Sequence, residues 1–424
     1  MDELAYVYVD LDRTPRFCGR LWSRARKGQE TASFEYDKEW LEFEGRFSLE
    51  PALSLGHGSF HTGLGKALFG AIGDSAPDRW GRMLMVRAER RTAKEEKRAV
   101  RTLREIDYLL MVDDEARQGA LRFTKTPGGP FLRPDALGRI PPLIKLPRLL
   151  AAAEHFERDT ETEEDVRLLL APGSSLGGAR PKASVRDKNG ELLIAKFPHK
   201  TDETSVVLWE ALALRLAAKA GIQVPGWRVE KISRKPVLVL GRFDRVKTHR
   251  IPFLSAMSML GAKDNERHSY LEVVDAIRQH GARIEADLEE LWRRIVFYIL
   301  ISNTDDHLRN LGFLYAGREG WRLAPAYDVN PVPVETKPRE LSTSITLQDG
   351  TASLGLAFEV ASYFKLSPKR ARAIVGEVGK VVKRWDQTAA ELGISKKDRE
   401  VMSSAFEHDD LREATELAND EGNS

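Results

Sequence analysis

The chain has 424 residues, too many for one ordinary compact core, so two or three packed units are expected. Its 42% hydrophobic and 31% charged residues exclude wholesale disorder, and 66 basic against 64 acidic residues, a net charge of +2, exclude a global pull toward nucleic acid or membrane. The single cysteine, Cys18, excludes an intramolecular disulfide, no Cys/His cluster has zinc-site spacing, and an acidic start with no apolar run of about 18 residues makes a cytoplasmic protein without a membrane partner the expectation.

Residues 5 to 48 alternate apolar and polar positions, as in Tyr6-Val7-Tyr8-Val9-Asp10-Leu11, which predicts short antiparallel strands and a small β-rich unit over 1–125. Gly58 to Lys66 looks like a P-loop, but Phe60 stands where its first glycine belongs and Ala67 where Ser or Thr would hold Mg²⁺, so it receives no nucleotide role. From Pro77 to Asp107 the pattern turns helical and basic, as a solvated helix face with intervening glutamates would. Thr126-Pro127-Gly128-Gly129-Pro130 opens a proline-punctuated connector over 126–147. Beyond it we expect a nucleotide-binding core over 148–255, a mostly helical lobe over 256–410 and a frayed acidic tail over 411–424.

Ser174-Ser175-Leu176-Gly177-Gly178-Ala179-Arg180-Pro181-Lys182 precedes a predicted hairpin whose strands flank Asn189-Gly190, a pair that tolerates positive φ. Paired glycines let backbone N–H groups converge on an anion without Cβ obstruction, so the loop is a candidate phosphate cradle; an ordinary turn is the plainer alternative. Lys196 sits among Leu193, Ile194, Ala195 and Phe197, where an ammonium needs an anionic partner, unless it is simply a solvated strand lysine. Glu210, in an apolar helical pattern, is the expected structural ion-pair partner of Lys196, as a helix glutamate holds the strand lysine in protein kinases.

Trp292 to Ile301 reads as a buried helix that ends in Ser302-Asn303-Thr304-Asp305-Asp306-His307. Adjacent carboxylates, a histidine and an asparagine directly after a core helix are costly to bury unpaired, which favours a functional cleft. Asp305 and Asn310 stand five apart, the spacing of the kinase catalytic loop, where the aspartate orients the attacking hydroxyl and the asparagine holds a metal. Asp328 follows a predicted strand-turn-strand from Leu311 to Leu323 and falls where the second metal-binding carboxylate belongs. The structural alternative is a capped helix end and an Asx-turn at Asp328, with His307 a core histidine. A metal-dependent phosphoesterase built on Asp305, Asp306 and His307 would leave Lys196 and the glycine loop unexplained.

The ordered set Ser-Ser-Leu-Gly-Gly-Ala-Arg-Pro-Lys, Ala-Lys-Phe-Pro, Gly-Arg-Phe-Asp-Arg, Asn-Thr-Asp-Asp-His-Leu-Arg-Asn and Pro-Ala-Tyr-Asp-Val-Asn-Pro resembles the HipA family, the bacterial serine/threonine-kinase toxins of type II toxin-antitoxin modules. Ala76-Pro77-Asp78-Arg79-Trp80-Gly81-Arg82 is also typical of it, and the resemblance spans most of the chain. It implies an α+β, protein-kinase-like (HipA-type) fold with a small β-rich N-terminal subdomain, a nucleotide-binding β-sheet region and a mostly helical C-terminal lobe. ATP and Mg²⁺ are the implied cofactors, with Asp305 as catalytic aspartate, Asn310 and Asp328 as metal ligands and Lys196 on the ATP phosphates. Ser175, Leu176, Gly177, Gly178, Ala179 and Lys182 would line the phosphates, Val239, Gly241 and Phe243 the adenine hinge, and Asp244 the ribose, with His307, Asn310 and Asp328 completing the nucleotide contacts. The best-known member carries a glutamate where Gly241 stands, which leaves backbone contacts to adenine here.

Ser175 falls where such kinases autophosphorylate, with Ser174 the adjacent alternative; a phosphate of about two negative charges there would repel those of ATP and inactivate the kinase. The implied partners are a small helix-turn-helix (HipB-like) antitoxin, operator DNA through it, and a protein substrate among the aminoacyl-tRNA synthetases, the glutamyl enzyme foremost, whose loss arrests growth and gives persistence. In such a complex the basic 82–104 segment would touch DNA phosphates. The alternative is a catalytically weak corepressor that only binds the antitoxin.

Overall fold

A computed structural model describes residues 2–132, 140–170 and 178–421. The chain forms two compact units, Met1–Thr201 with Glu230–Gly261 and Asp202–Val229 with Ala262–Ser424.

In the first unit the alternating N-terminal pattern forms a meander, β1 (Glu3–Leu11), β2 (Thr14–Arg26) and β3 (Gln29–Tyr36), which β4 (Ser59–His61) and β5 (Leu121–Thr124) complete in the order β4-β3-β2-β1-β5. Ala5, Val7 and Val9, at the period-2 positions of β1, are fully buried. A second sheet runs β6-β7-β9-β8, from β6 (Lys182–Arg186), β7 (Leu192–Lys196), β8 (Trp227–Ile232, inside this unit from Glu230) and β9 (Lys235–Gly241). The predicted hairpin is β6–β7, in register from Lys182 opposite Lys196 to Arg186 opposite Leu192, and Gly190 turns it at φ +81°. Trp80, Leu84 and Met85 of the Arg79–Glu95 helix, Leu149 and Phe156 of the Leu146–Glu157 helix, and Val166 and Leu169 of the Glu163–Leu170 helix form one core with Ala183, Val185, Ala195 and Val239 of this sheet.

Two expectations about organisation are corrected in this unit. The 126–147 connector does not separate domains: Arg186 donates from its backbone N–H to Pro141 O at 2.9 Å and Asp114 to Leu132 O at 3.0 Å, so the described parts of the connector are stitched to the strands beside them. The first division falls instead at Thr201. The basic helix is also less available than its composition suggests, because Arg87 and Arg91 reach Glu161, Arg98 and Arg101 grip Glu89, and Arg82 binds Glu105.

The second unit is helical around Ile284–Leu300, whose residues from Leu291 to Leu300 are all buried. Strands Gly312–Tyr315 and Trp321–Leu323 follow it as an antiparallel pair. The acidic tail expected over 411–424 is, as far as described, part of a helix, Asp409–Glu421. Leu411 and Ala414 are buried one turn apart, and Gly379 of the Pro368–Val382 helix lets the two helices touch: a Cβ there would lie 2.6 Å from the Ala414 Cβ. Asp409, Glu413 and Glu416 face outward while Asp410 pairs with Arg339 at 2.8 Å, and the apolar stripe, not the charge, decides the fate of this helix.

Candidate catalytic site

Sequence reasoning centred the site on the turn after the Ile284–Leu300 helix, and the structure shows how that turn is held. Ser302 takes a left-handed conformation, φ +50°, and its Oγ donates to Ala405 O at 2.8 Å. Residues 301–304 are buried, Asp305 is exposed, and Asp306 is buried again. The chain is therefore anchored on both sides of one carboxylate that faces solvent. On one side Thr304 O accepts from Lys337 Nζ at 2.6 Å and Ser342 Oγ at 2.7 Å. On the other, Asp306 accepts from Tyr270 OH at 2.5 Å and the Ser342 N–H at 2.6 Å, while its carbonyl accepts from Thr343 Oγ1 at 2.7 Å. Burial pushes the Asp306 carboxyl up to about 6, and these donors oppose the rise. Asp306 is a buried strut beside the exposed Asp305.

Asn310 closes the loop. Its Nδ2 donates to Asp305 O at 2.9 Å, and the bond fixes which end of the amide is nitrogen, leaving Oδ1 buried with no hydrogen-bond partner among the described residues. His307 Nδ1 is likewise buried without one. The Asp328 segment docks on the same turn: Tyr327 OH donates to Arg309 O at 2.8 Å, the Asn330 N–H to Asn303 Oδ1 at 3.0 Å, and the Val332 N–H to Ser302 O at 3.1 Å. Asp328 itself has φ +56°, a conformation that costs a non-glycine residue free energy and recurs where a side chain must be aimed. Asp305, Asn310 and Asp328, predicted from spacing, are thus brought together within one unit. Tyr270, Lys337 and Ser342, which help hold them, escaped sequence reasoning, because they act through backbone and buried atoms and lie outside the motifs; Tyr327 lies inside the Pro-Ala-Tyr-Asp-Val-Asn-Pro motif but was given no role.

An unsatisfied buried carbonyl oxygen costs about 1–3 kcal/mol, so Asn310 Oδ1 fits a role as a ligand. An amide oxygen and a carboxylate are the hard donors a magnesium ion takes. These residues therefore fit the implied metal. Among the described residues no group of three or more His, Cys, Asp and Glu could hold a different, all-protein metal cluster.

The first unit carries the other predicted residues. Ser174, Ser175, Leu176 and Gly177 lie outside the described residues; Gly178 and Ala179 are exposed, with Gly178 at φ +99°. Lys182, expected at the phosphates, is 2% exposed and bonds Asp78 Oδ2 at 2.8 Å. The same aspartate caps the Arg79–Glu95 helix, its Oδ1 accepting from the Gly81 N–H at 2.7 Å, and Trp80 Nε1 donates to Lys182 O at 3.0 Å. That ion pair replaces the nucleotide contact expected of Lys182, and gives the Ala76–Arg82 motif a job: it neutralises the lysine directly opposite Lys196, where two like charges would otherwise repel.

Val239 and Gly241 lie on β9 opposite Ala195 and Leu193 of β7, and Phe243 packs on Phe253 just beyond the strand. Asp244 corrects the sequence reading. It is 1% exposed and its oxygens accept from Arg242 Nε at 2.8 Å, Arg242 Nη2 at 2.6 Å, Arg245 Nη1 at 2.8 Å and the Gly119 N–H at 2.7 Å. Burial alone would raise its carboxyl, and the two guanidiniums outweigh that, holding it below the usual carboxylate range. Buried among these four donors, Asp244 presents no carboxylate oxygen to solvent, where a ribose would have to meet it. Lys196 belongs to the first unit and the buried Glu210 to the second.

The architecture is the α+β, kinase-like fold of HipA. Residues 174–385, half of the chain, match the family described as the HipA-like C-terminal domain, and the chain belongs to that family. It is 29% identical over 237 residues to a Haemophilus influenzae protein named "Putative kinase", covering 48% of this chain and 68% of that one. A second protein so named, from Sinorhizobium fredii, is 27% identical over 181 residues, 37% of this chain and 41% of its own length. The solved Shewanella oneidensis complex of HipA, HipB and operator DNA superposes with a TM-score of 0.62 at 15% identity, covering 98% of this chain and 97% of that one. Among the described residues no helix is long and apolar enough to cross a membrane.

Proposed function

We propose that this chain is an ATP- and Mg²⁺-dependent serine/threonine-protein kinase, the toxin of a toxin-antitoxin module. The observation that carries the reading is the arrangement within the helical unit: one exposed carboxylate, Asp305, on a turn braced from both sides, with the unpartnered Asn310 Oδ1 and the left-handed Asp328 held to the same turn. The relatives' names and the HipA-type fold support it.

In this reading Asp305 orients a substrate hydroxyl and takes its proton. The hydroxyl oxygen forms a bond to the γ-phosphorus, the bond from that phosphorus to the bridging oxygen breaks, and ADP leaves. Asn310 and Asp328 would hold Mg²⁺, which when bound supplies charge neutralisation on the phosphates. Lys196 and the 175–179 loop would bear on the phosphates, and the β9 backbone from Val239 to Gly241 on adenine. Ser175, with Ser174 beside it, would be the self-inactivating phosphorylation site. The substrate would be a translation component, an aminoacyl-tRNA synthetase and the glutamyl enzyme first among them. A HipB-like antitoxin, and operator DNA through it, would be the partners in the cytoplasm. The Shewanella complex, whose components are those, supports this last step.

Incubation with labelled ATP and Mg²⁺ should place phosphate on Ser175, and both Asp305→Ala and Asp328→Ala should abolish it. Labelling that persists in both variants overturns the assignment.

A further inference from the structure

The helical unit contains a cavity of about 780 Å³ that none of Asp305, Asn310 and Asp328 lines. Its walls come from the Glu285 to Arg294 stretch of the Ile284–Leu300 helix, the end of the Val206–Lys219 helix, the Trp321–Leu323 strand and the Pro368–Val382 helix. Every carboxylate in those walls is already engaged. Asp287 Oδ2 accepts from the Leu323 N–H at 3.1 Å, and Glu290 Oε1 takes Arg294 at 2.8 Å and the Gln223 N–H at 3.1 Å. Glu377 is held by Arg293 at 2.6 Å and Arg370 at 2.9 Å, Glu289 by Arg370 at 2.5 Å, and Glu285 by Lys365 at 3.5 Å.

The cations do not balance in the same way. Arg293 and Arg294, deep in the wall, are spent on those acids and on the carbonyls of Ala220 and Ala324. Lys219, Arg283, Arg322 and Lys380 also line the cavity, and none of the four makes a side-chain hydrogen bond or ion pair among the described residues. Arg322 still bears electrostatically on Asp287, which leaves Lys219, Arg283 and Lys380 without an acid of their own, and cations facing one concavity raise the local concentration of anions. The first turn of a 17-residue helix in the same wall adds N–H groups that have no intrahelical acceptor. The cavity volume is that of a small-molecule site and exceeds what a lone phosphate fills.

We infer that this cavity is a second ligand site, separate from the catalytic turn, that binds a small polyanion carrying two or more phosphate groups. Lys219, Arg283 and Lys380, with Arg322 beside them, match several phosphates at once, and the ion pairs made by Glu285, Glu289, Glu290 and Glu377 reduce the repulsion from the walls.

Calorimetric titration of the full chain with inorganic tripolyphosphate, at low salt and without Mg²⁺, tests this. Wild type, Lys196→Ala and Asp328→Ala should all bind it, and binding should weaken as salt rises. Reversing the two exposed rim charges, Arg283→Glu with Lys380→Glu, should weaken binding on the order of tenfold or more. Those residues lie on the surface, so a thermal melt equal to wild type should accompany the loss; Lys380→Gln alone serves if the double variant is unstable, and should weaken binding more than Lys196→Ala does. No binding by wild type, unchanged binding in the rim variants, or loss confined to Lys196→Ala would overturn the inference. The readout is binding, so it stands or falls independently of kinase activity.

Discussion

Asp78 shows how much one side chain can be made to do. One oxygen caps a helix and the other neutralises Lys182, both almost out of contact with water. Removing one partner of a buried pair strands the other charge, which costs far more than the pair's net worth. Asp78→Asn keeps a good capping residue and should still lower stability by roughly 3–5 kcal/mol in denaturant unfolding. Adding Lys182→Met should recover most of that, since the stranded ammonium is gone. A double variant no more stable than the single one would show that Lys182 is not the stranded charge.

At the scale of elements, the candidate catalytic turn rests on Asp306 and its donors. The Asp306 carboxyl keeps its proton up to about 6 in the folded chain, against an ordinary value of 3.8. Between those values the folded state binds more protons than the unfolded one, so the stabilisation is complete below about 4 and is lost as pH rises through about 6. Stability measured by urea unfolding from pH 4 to 6.5 should carry that downward slope, and Asp306→Asn should flatten it whatever its absolute stability. Tyr270→Phe removes the 2.5 Å donor and should shift the fall to higher pH. A different element test addresses the C-terminal helix. Gly379→Ala forces a Cβ against the Ala414 backbone and methyl, and should destabilise by about 1–3 kcal/mol in thermal melting, although alanine is the better helix former. A variant as stable as wild type would mean the two helices are free to separate.

At the scale of the whole molecule, the chain leaves the first unit at Thr201, returns at Glu230 and leaves again after Gly261. The core under the β6-β7-β9-β8 sheet includes Trp80, Leu84 and Met85, residues about a hundred positions before the first strands they cover. A fragment of residues 148–424, which contains the whole family match, should therefore fail to give a cooperative melt, while the full chain gives one. The elements were legible in the sequence: period-2 alternation marked β1 to β3, Asn189-Gly190 marked the β6–β7 turn, and the apolar run before Ser302 marked the buried helix. Asp305 and Asn310 were picked out by their five-residue spacing and Asp328 by its place after a strand pair, and the structure holds all three segments on one turn. The burial of Lys182 went unread because its counter-charge, Asp78, lies more than a hundred residues away, and that of Asp244 because, although Arg242 and Arg245 stand beside it in sequence, the Gly119 segment that closes over it does not. Tyr270, Lys337 and Ser342 were invisible for the same reason.

What the sequence determined by itself is thus the set of residues whose spacing a single helix, strand or turn enforces. Only the tertiary structure decided which charges are spent on one another and which remain free, because burial and pairing between distant segments fix the energy of an ion. That distinction leaves Asp305 exposed, closes Asp244 off, and leaves Lys219, Arg283 and Lys380 facing an open cavity.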